Sequence, residues 1–194
     1  YVYDMFNLYK YENMLYTMKL SGKEVHDALE MSYDLWTNRM TSPDDHILLL
    51  RDQPREGAAD RAAFKNFSFN FDSAAGIIYT VDVTKPSGRK VAILSMADGT
   101  PFDMNKMYTV ALNSYRGNGG GELLTKGAGI SQDELKERII SSTDKDLRYY
   151  LMQYIEQKKV IEPRALGQWK FIPEEWAVPA SKRDYEFLFG TNRN

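Results

Sequence analysis

The sequence predicts an α+β domain in which a mixed, mostly antiparallel sheet packs with helices. Short β-prone runs fill much of the chain before residue 113, with turns rich in glycine, proline and aspartate between them. One amphipathic stretch near residues 22–38 interrupts these runs, and further helical stretches follow the last of them. The short connections between most of the predicted strands favour antiparallel pairing.

The N-terminal part of the chain predicts a strand followed by a helix. Residues 13–20 form a short apolar, β-prone run that stops at Ser21. Ser21 and Glu24 have the spacing of a capping box, which marks the start of a helix. Apolar residues then recur near the helical period, so we predict a helix over about residues 22–38. From about residue 40 to residue 65 the period is lost, and a long, mobile loop is expected there.

A series of strands is predicted in the middle of the chain. Phenylalanine alternates with polar residues over residues 67–71, at the period of two of a half-buried strand. Residues 76–83, 90–96 and 108–112 are further β-prone runs, separated by Pro-Ser-Gly and Asp-Gly turns. The last run leads into a loop with four glycines in the five positions after Arg116. Such a loop allows the backbone to approach a ligand closely.

The last third of the chain predicts two helices and a tail. The capping-box spacing recurs over residues 131–134, ahead of a helix that runs to about residue 140. A second helix over about residues 145–157 is predicted to begin at the Ser-Thr-Asp cap that precedes it. Residues 160–173 are predicted to be extended, and from residue 174 onward we expect loop and extended surface.

Composition and charge exclude several classes of protein. The chain of 194 residues has 25 Lys and Arg against 27 Asp and Glu, so no net positive field attracts it to duplex nucleic acid. It has no cysteine, which excludes disulfides and thiol chemistry. No apolar stretch approaches the roughly 20 residues of a membrane span. We expect a single domain over residues 1–194, and, because the sequence begins with tyrosine, a region upstream of it.

Motifs for catalysis are scarce. The histidines stand in no metal-binding spacing, and the Asp44-Asp45-His46 cluster is interpreted as a turn with solvated charges rather than a cation site. Neither a nucleophile elbow nor the spacing of a dinucleotide-binding or P-loop motif is found. We predict no catalytic residue and no metal site in this chain. Two aromatic-bearing turns remain, at Tyr11 and Tyr115, although either would also fit a plain hairpin.

These two turns belong to a longer pattern of motifs. Tyr-Glu-Asn at residues 11–13 is followed by a strand and by Leu-Ser-Gly-Lys-Glu-Val at 20–25. Asp-Gly-Thr-Pro-Phe follows at 98–102, and Lys-Met-Tyr-Thr-Val-Ala-Leu-Asn at 106–113 leads into Ser-Tyr-Arg and the glycine-rich loop. In order and spacing, residues 3–121 resemble the C-terminal domain of the 5'-nucleotidase family. The Asn-Ser-Tyr-Arg form of the loop is most similar to its 2',3'-cyclic-nucleotide 2'-phosphodiesterase branch.

The resemblance implies a domain that binds a nucleotide or nucleoside and hydrolyses nothing alone. In that family an N-terminal metallophosphoesterase domain holds two divalent metal ions and the catalytic histidine, and the C-terminal domain binds the nucleoside. The implied partner is therefore such a domain, in the same chain or separately encoded, and no cofactor is expected in this chain. The resemblance also implies a periplasmic, exported or cell-surface location.

The resemblance further implies a clamp for the base. The stacking aromatics of the family correspond to Tyr11 and Tyr115, and the asparagine that contacts the base corresponds to Asn13. Stacking on an aromatic ring contributes about 1–3 kcal/mol per base. Arg116 is a local candidate for contact with the ligand. The candidate ligand-binding residues are Tyr11, Asn13, Tyr115, Arg116, Gly119, Gly120, Gly121 and Glu122.

Gly121 departs from the family pattern, since many relatives have there an aspartate that holds the ribose hydroxyls. Either Glu122 replaces that carboxylate from the next position, or the ligand carries a 2',3' phosphate, which a carboxylate would repel. A second hypothesis is a secreted glycan- or protein-binding module that kept the fold and lost the nucleotide, which the missing aspartate favours. A third, a single-strand RNA binder, is disfavoured by the charge balance.

Overall fold

The computed structural model describes residues 3–51 and 64–190, and it confirms the predicted α+β class. Up to the glycine-rich loop, helices and strands follow the order that the sequence predicts, apart from one predicted strand and from a short helix at residues 4–8 that was not predicted. The helices are α1 (Asp4–Leu8), α2 (Gly22–Trp36), α3 (Ser114–Gly117), α4 (Gln132–Glu137), α5 (Leu147–Lys158) and α6 (Glu174–Phe189). The strands are β1 (Met14–Ser21), β2 (Ile77–Asp82), β3 (Val91–Met96), β4 (Met107–Asn113), β5 (Ile139–Asp146) and β6 (Trp169–Ile172).

The described residues divide into two compact units. Unit 1 comprises residues 3–25 and 104–166. Unit 2 comprises residues 26–51, 64–103 and 167–190. That residues 1–194 act as one nucleoside-binding domain stays a prediction. None of the helices in the described ranges combines the length and the apolarity that crossing a bilayer requires.

Unit 1 is built on an antiparallel sheet with the strand order β4-β1-β5. The register pairs Leu15 with Asn113 and Leu20 with Tyr108, so the start of β1 lies beside the end of β4. Met18 and Leu20 of the central strand are buried. Because neighbouring antiparallel strands run in opposite directions, the residues before β1 and those after β4 lie at the same end of this sheet.

Unit 2 contains a mixed sheet with the order β3-β2-β6, in which β2 pairs antiparallel with β3 and parallel with β6. Alternate residues of β2 are buried, as its period-two pattern predicts. Tyr33 of α2 packs edge-on against Phe71, Tyr79 and Trp169, and its hydroxyl hydrogen-bonds that of Tyr79 at 2.9 Å. Burial and this hydrogen bond raise the pKa of Tyr33, so the ring acts as an uncharged core residue.

Both predicted capping boxes are present. Ser21 N–H donates to Oε2 of Glu24 at 2.6 Å, and Glu24 N–H donates to Oγ of Ser21 at 3.2 Å. The same reciprocal pair joins Ser131 and Glu134, at 3.0 and 3.3 Å. These bonds satisfy N–H groups that a helix start leaves without partners, which explains where α2 and α4 begin.

The predicted strand over residues 67–71 is wrong. Ser68–Asn70 is a short 3₁₀ helix, and the exposed rings of Phe67 and Phe69 stack on each other with centroids 5.2 Å apart. Their alternation with polar residues therefore reflects a local ring pair and no buried sheet face. Of the long loop expected over residues 40–65, residues 52–63 lie outside the described residues. Met40 and Ile47 are buried in a cluster with Ala177 and Ala180 of α6.

Two further differences lie toward the C-terminus. The predicted Ser-Thr-Asp cap at residues 142–144 lies inside β5, and α5 begins two residues later than predicted, where Oδ1 of Asp146 accepts a hydrogen bond from Tyr149 N–H at 2.9 Å. The loop and extended surface expected from residue 174 onward are wrong over Glu174–Phe189, which form α6. Pro179 lies inside that helix and argues against it locally, but buried Ala177 and Ala180 anchor it in the unit 2 core.

Candidate functional site

The pairing of β1 with β4 brings the two aromatic turns to one end of the unit 1 sheet. β1 begins shortly after Tyr11, and β4 ends shortly before Tyr115. A direct hydrogen bond joins the two segments, since the backbone N–H of Met14 donates to Oγ of Ser114 at 3.0 Å. The sequence pointed to both tyrosines, and the antiparallel register explains why their turns lie at the same end of the sheet.

The Tyr11 turn, residues 9–13, presents an exposed ring held by its neighbours. Tyr11 is 46% exposed, and the ring of Tyr9 meets it edge-on with centroids 6.5 Å apart. The ammonium group of Lys10 lies 5.3 Å from the centroid of the Tyr11 ring. The amide Nδ2 of Asn13 donates to the Tyr9 hydroxyl at 3.0 Å, and the Asn13 carbonyl accepts from the N–H of Leu147 at 2.8 Å. The turn is thus fixed by its own side chains and by α5.

Tyr115 lies on α3, the short helix that begins the glycine-rich loop. Asn113 caps this helix, since its Oδ1 accepts from the N–H of Arg116 at 2.8 Å. Tyr115 is 40% exposed, and its ring packs closely on Gly120. A Cβ atom at Gly120 would lie 2.5 Å from Cε2 of that ring, so only glycine fits there. At Gly119, where φ is +89°, a Cβ would meet Oε1 of Gln132 at 2.8 Å.

Arg116 is buried rather than displayed at the mouth of the loop. It is 5% exposed, its guanidinium carbon lies 5.6 Å from the Tyr115 ring centroid, and Nη1 donates to the carbonyl of Gly120. The side chain therefore ties the two ends of the loop together beneath Tyr115. This contact gives Arg116 a part in shaping the candidate site.

Gly121 and Glu122 turn the chain sharply before a π-helical turn at Leu123–Gly127. Gly121 has φ +69°, and Glu122 has φ +63°. A left-handed conformation is unusual for glutamate and costs free energy, and such residues concentrate at functional sites. The exposed Glu122 carboxylate pairs with the ammonium group of Lys126 at 2.8 Å, which partly neutralises its charge.

Metal-binding geometry does not accompany these residues. Within residues 3–51 and 64–190, no three His, Asp or Glu side chains are grouped so that they could share a metal ion. In the Asp44-Asp45-His46 cluster, Oδ2 of Asp45 accepts from the N–H groups of Thr41 and Ser42 at 2.7 and 3.0 Å. These bonds lower the pKa of Asp45, and they close a turn.

Sequence reasoning missed two residues that shape the site. Tyr9 holds the Asn13 amide, and Arg148 of α5, which is buried, contacts the backbone of the Tyr11 turn. The spacing of Tyr9 and Asn13 offered only a weak signal. For Arg148 the sequence offered none, because its contact joins positions 138 residues apart.

Comparison with known proteins identifies the protein family to which this fold and its two aromatic turns belong. The family model described as "5'-nucleotidase, C-terminal domain" matches residues 2–126. The chain belongs to this family, and the resemblance seen in its motifs is confirmed.

Particular relatives support the same family. The trifunctional nucleotide phosphoesterase protein of Bacillus subtilis is 30% identical over 181 residues, which cover 86% of this chain and 11% of that protein. The 2',3'-cyclic-nucleotide 2'-phosphodiesterase/3'-nucleotidase of Salmonella typhimurium is 30% identical over 182 residues, which cover 86% of this chain and 25% of that protein. The chain therefore spans a quarter or less of the length of these two relatives.

Solved structures show the same fold. The 5'-nucleotidase precursor from Thermus thermophilus superimposes with a TM-score of 0.60 at 21% identity, over 89% of this chain and 28% of that chain. The NAD nucleotidase from Haemophilus influenzae superimposes with a TM-score of 0.56 at 19% identity, over 88% of this chain and 26% of that chain. At this level of identity the likeness concerns the fold.

Proposed function

We propose that this chain is the nucleoside-binding, substrate-specificity domain of a nucleotide phosphohydrolase of the 5'-nucleotidase or 2',3'-cyclic-nucleotide phosphodiesterase/3'-nucleotidase type. One observation carries the proposal. Two substantially exposed tyrosines, Tyr11 and Tyr115, occupy turns that the Met14–Ser114 hydrogen bond joins at one end of the unit 1 sheet. Aromatic faces stack with any base, so such a pair suits a nucleoside of either base type.

Individual residues have distinct roles in this proposal. The base lies between the two rings, and Asn13, whose amide nitrogen is engaged by Tyr9, offers its oxygen to an N–H group of the base. The loop from Gly119 to Glu122 faces the sugar, with Arg116 holding it from beneath. The carboxylate at Glu122 pairs with Lys126. It therefore repels a ligand phosphorylated at the 2' or 3' position less strongly than an unpaired carboxylate would.

Hydrolysis itself is assigned to another domain. We place it in an N-terminal metallophosphoesterase domain, in the same chain or a separate one, which holds two divalent metal ions. The greater length of the curated relatives, of which this chain spans a quarter or less, supports this division. A periplasmic or other exported location is part of the proposal, and the word precursor in the name of the Thermus thermophilus protein supports it.

Titration calorimetry tests the clamp on the chain itself. With adenosine, 3'-AMP and UDP-glucose as ligands, we expect saturable binding that Tyr11→Ala and Tyr115→Ala each weaken by about 1–3 kcal/mol, because each removes one stacking face. Both side chains are exposed, so the melting temperature should change little. Tyr154→Ala is the matched control, since Tyr154 is an exposed tyrosine of the same unit on α5.

The outcomes separate the two classes of function. Loss of affinity in both clamp variants and not in Tyr154→Ala supports the nucleoside site. If the unchanged chain shows no binding at millimolar ligand, the nucleotide proposal is overturned and a glycan- or protein-binding module becomes the better description.

A further inference from the structure

Arg148 is a buried cation in a segment that the family model does not reach. The model matches residues 2–126, whereas Arg148 lies in the first turn of α5 and is 7% exposed. A buried charge is costly unless it is paired and hydrogen-bonded. The partners of this guanidinium group therefore indicate what it does.

Those partners lie in the Tyr11 turn and at the start of α5. Nη1 donates to the carbonyl oxygens of Lys10 at 3.0 Å and Tyr9 at 3.4 Å. Nη2 donates to Oδ2 of Asp146 at 2.9 Å, and more distantly to the exposed Glu12 carboxylate at 3.4 Å. One nitrogen thus serves the backbone of the turn, and the other is anchored on the cap of α5.

The guanidinium group is also covered from one side. Its central carbon lies 4.3 Å from the centroid of the Phe6 ring, a distance typical of a cation–π contact. The carbonyl groups of Tyr9 and Lys10 lie before β1 and are not part of the strand pairing that begins at Met14. Arg148 therefore supplies hydrogen bonds that the sheet does not.

We propose that Arg148 is a positioning residue for the nucleoside site, which holds the Tyr11 turn so that the Tyr11 ring stays oriented for stacking. The inference rests on the proposed function. It extends the site from the part of the chain that the family model matches to α5. Arg148 acts through the turn and does not itself touch the nucleoside.

The geometry requires arginine. The planar guanidinium group donates from separate nitrogens in fixed directions, whereas a lysine ammonium is a single point on a flexible stem. Lysine at this position keeps the positive charge, but it cannot serve the Lys10 carbonyl and the Asp146 carboxylate with the same geometry. Arg148→Lys therefore separates positioning from charge.

Adenosine titration of the chain tests the proposal. Arg148→Lys removes hydrogen bonds that the charged guanidinium group donates, so we expect it to weaken adenosine binding about tenfold. Arg138→Lys is the matched control, since Arg138 is a partly buried arginine of the same unit that pairs with Glu24 at 3.2 Å, away from the turn. Its affinity for adenosine should equal that of the unchanged chain.

A double-mutant cycle distinguishes positioning from a general loss of structure. In a Tyr11→Ala background, Arg148→Lys should cost little further affinity, because the ring that it positions is gone. In a Tyr115→Ala background, the full effect of Arg148→Lys should remain. If Arg148→Lys does not fold, Asp146→Asn provides the second variant. It removes the charge that anchors Nη2, while an asparagine oxygen can still cap α5.

Each result decides the matter. If the Arg148→Lys variant, or Asp146→Asn in its place, binds adenosine as tightly as the unchanged chain does, the positioning role is overturned and the proposed function remains intact. An equal loss in the Tyr11→Ala and Tyr115→Ala backgrounds also overturns it. Absence of adenosine binding by the unchanged chain overturns the proposed function together with this inference.

Discussion

Lys90 shows how single buried charges hold unit 2. The residue is 4% exposed, and its ammonium group donates to the carbonyl and hydroxyl oxygens of Thr37 at 2.9 and 3.1 Å. It also lies 3.2 Å from Oδ1 of Asp34, a buried oxygen that has no hydrogen bond among the described residues. The side chain therefore gives three oxygens a cationic partner in place of water.

Replacing Lys90 should destabilise the protein markedly. We expect Lys90→Met to lower the free energy of unfolding by about 3 kcal/mol, because it leaves the buried Oδ1 of the Asp34 carboxylate without its cation. Lys170→Met is the control, since Lys170 is 60% exposed and its surface pair with Glu174 should contribute less than about 1 kcal/mol. Urea unfolding measures both variants. Equal effects of the two substitutions would contradict the assigned role of Lys90.

Individual residues also show how much of the candidate site could be predicted from the sequence. Tyr11, Asn13 and Tyr115 were found because they stand in short motifs that resemble a known family. Tyr9 was not found because its spacing from Asn13 is only a weak signal, and Arg148 was not found because its contact with the turn exists only when α5 is folded against it. Local motifs thus predicted the exposed faces of the site, and folding added the groups that hold them.

Among the elements, α2 and β3 form an unusual connection in unit 2. β3 lies at one edge of its sheet, where backbone N–H groups lack a strand partner. Glu30 of α2 is buried, and its two carboxylate oxygens accept from the N–H groups of Lys90 at 2.6 Å and Val91 at 2.7 Å. A helix side chain therefore replaces a neighbouring strand at the start of β3.

This arrangement predicts a specific sensitivity. Glu30→Gln keeps the size of the side chain but turns one acceptor into a donor that faces a backbone N–H group. We expect it to lower the free energy of unfolding by about 1–3 kcal/mol. Glu175→Gln, at an exposed position of α6, should change it by less than about 0.5 kcal/mol. Thermal and urea unfolding of the two variants provide the comparison. A Glu30→Gln protein as stable as the unchanged chain would show that the Glu30 carboxylate does not stabilise the start of β3.

At the same scale, the elements that sequence predicted are those with local signals. β1, α2 and α4 have capping boxes or clear periods, and their starts were predicted to within one residue. The existence of β5 depends on pairing with β1, and that of α6 on packing in the unit 2 core. Such tertiary contacts override weak local preferences, which is why these two elements could not be predicted.

For the molecule as a whole, several surface carboxylates link stability to pH. Hydrogen bonds from Ser131 lower the pKa of Glu134 below its ordinary value of 4.5, and the Tyr150 hydroxyl lowers that of Asp144 below 3.8. Bonds from Thr41 and Ser42 do the same for Asp45. A carboxyl group whose pKa is lower in the folded state binds protons more readily when unfolded. The contribution of such a group to the stability of the folded state is therefore complete at pH values above its ordinary pKa. It is lost as the pH falls through the pKa that the group has in the folded state.

Acidification should consequently weaken the fold. We expect the urea midpoint to be constant from pH 7 to about pH 5 and to fall below that. Glu134→Gln should be less stable than the unchanged chain at pH 7, and the difference should shrink as the pH falls below 4.5 and Glu134 takes up a proton. A constant difference across this range would show that the Glu134 charge does not contribute.

The order of strands in unit 1 determines which recombinant fragments of the protein should remain soluble. β1 is the central strand, and β5, which pairs along one side of it, begins after residue 126, where the match to the family model ends. A fragment cut at that residue would expose an unpaired strand edge, and such edges recruit strands of other chains. Recombinant fragments that stop at the family boundary should aggregate, and soluble ones should extend at least through β5 and α5.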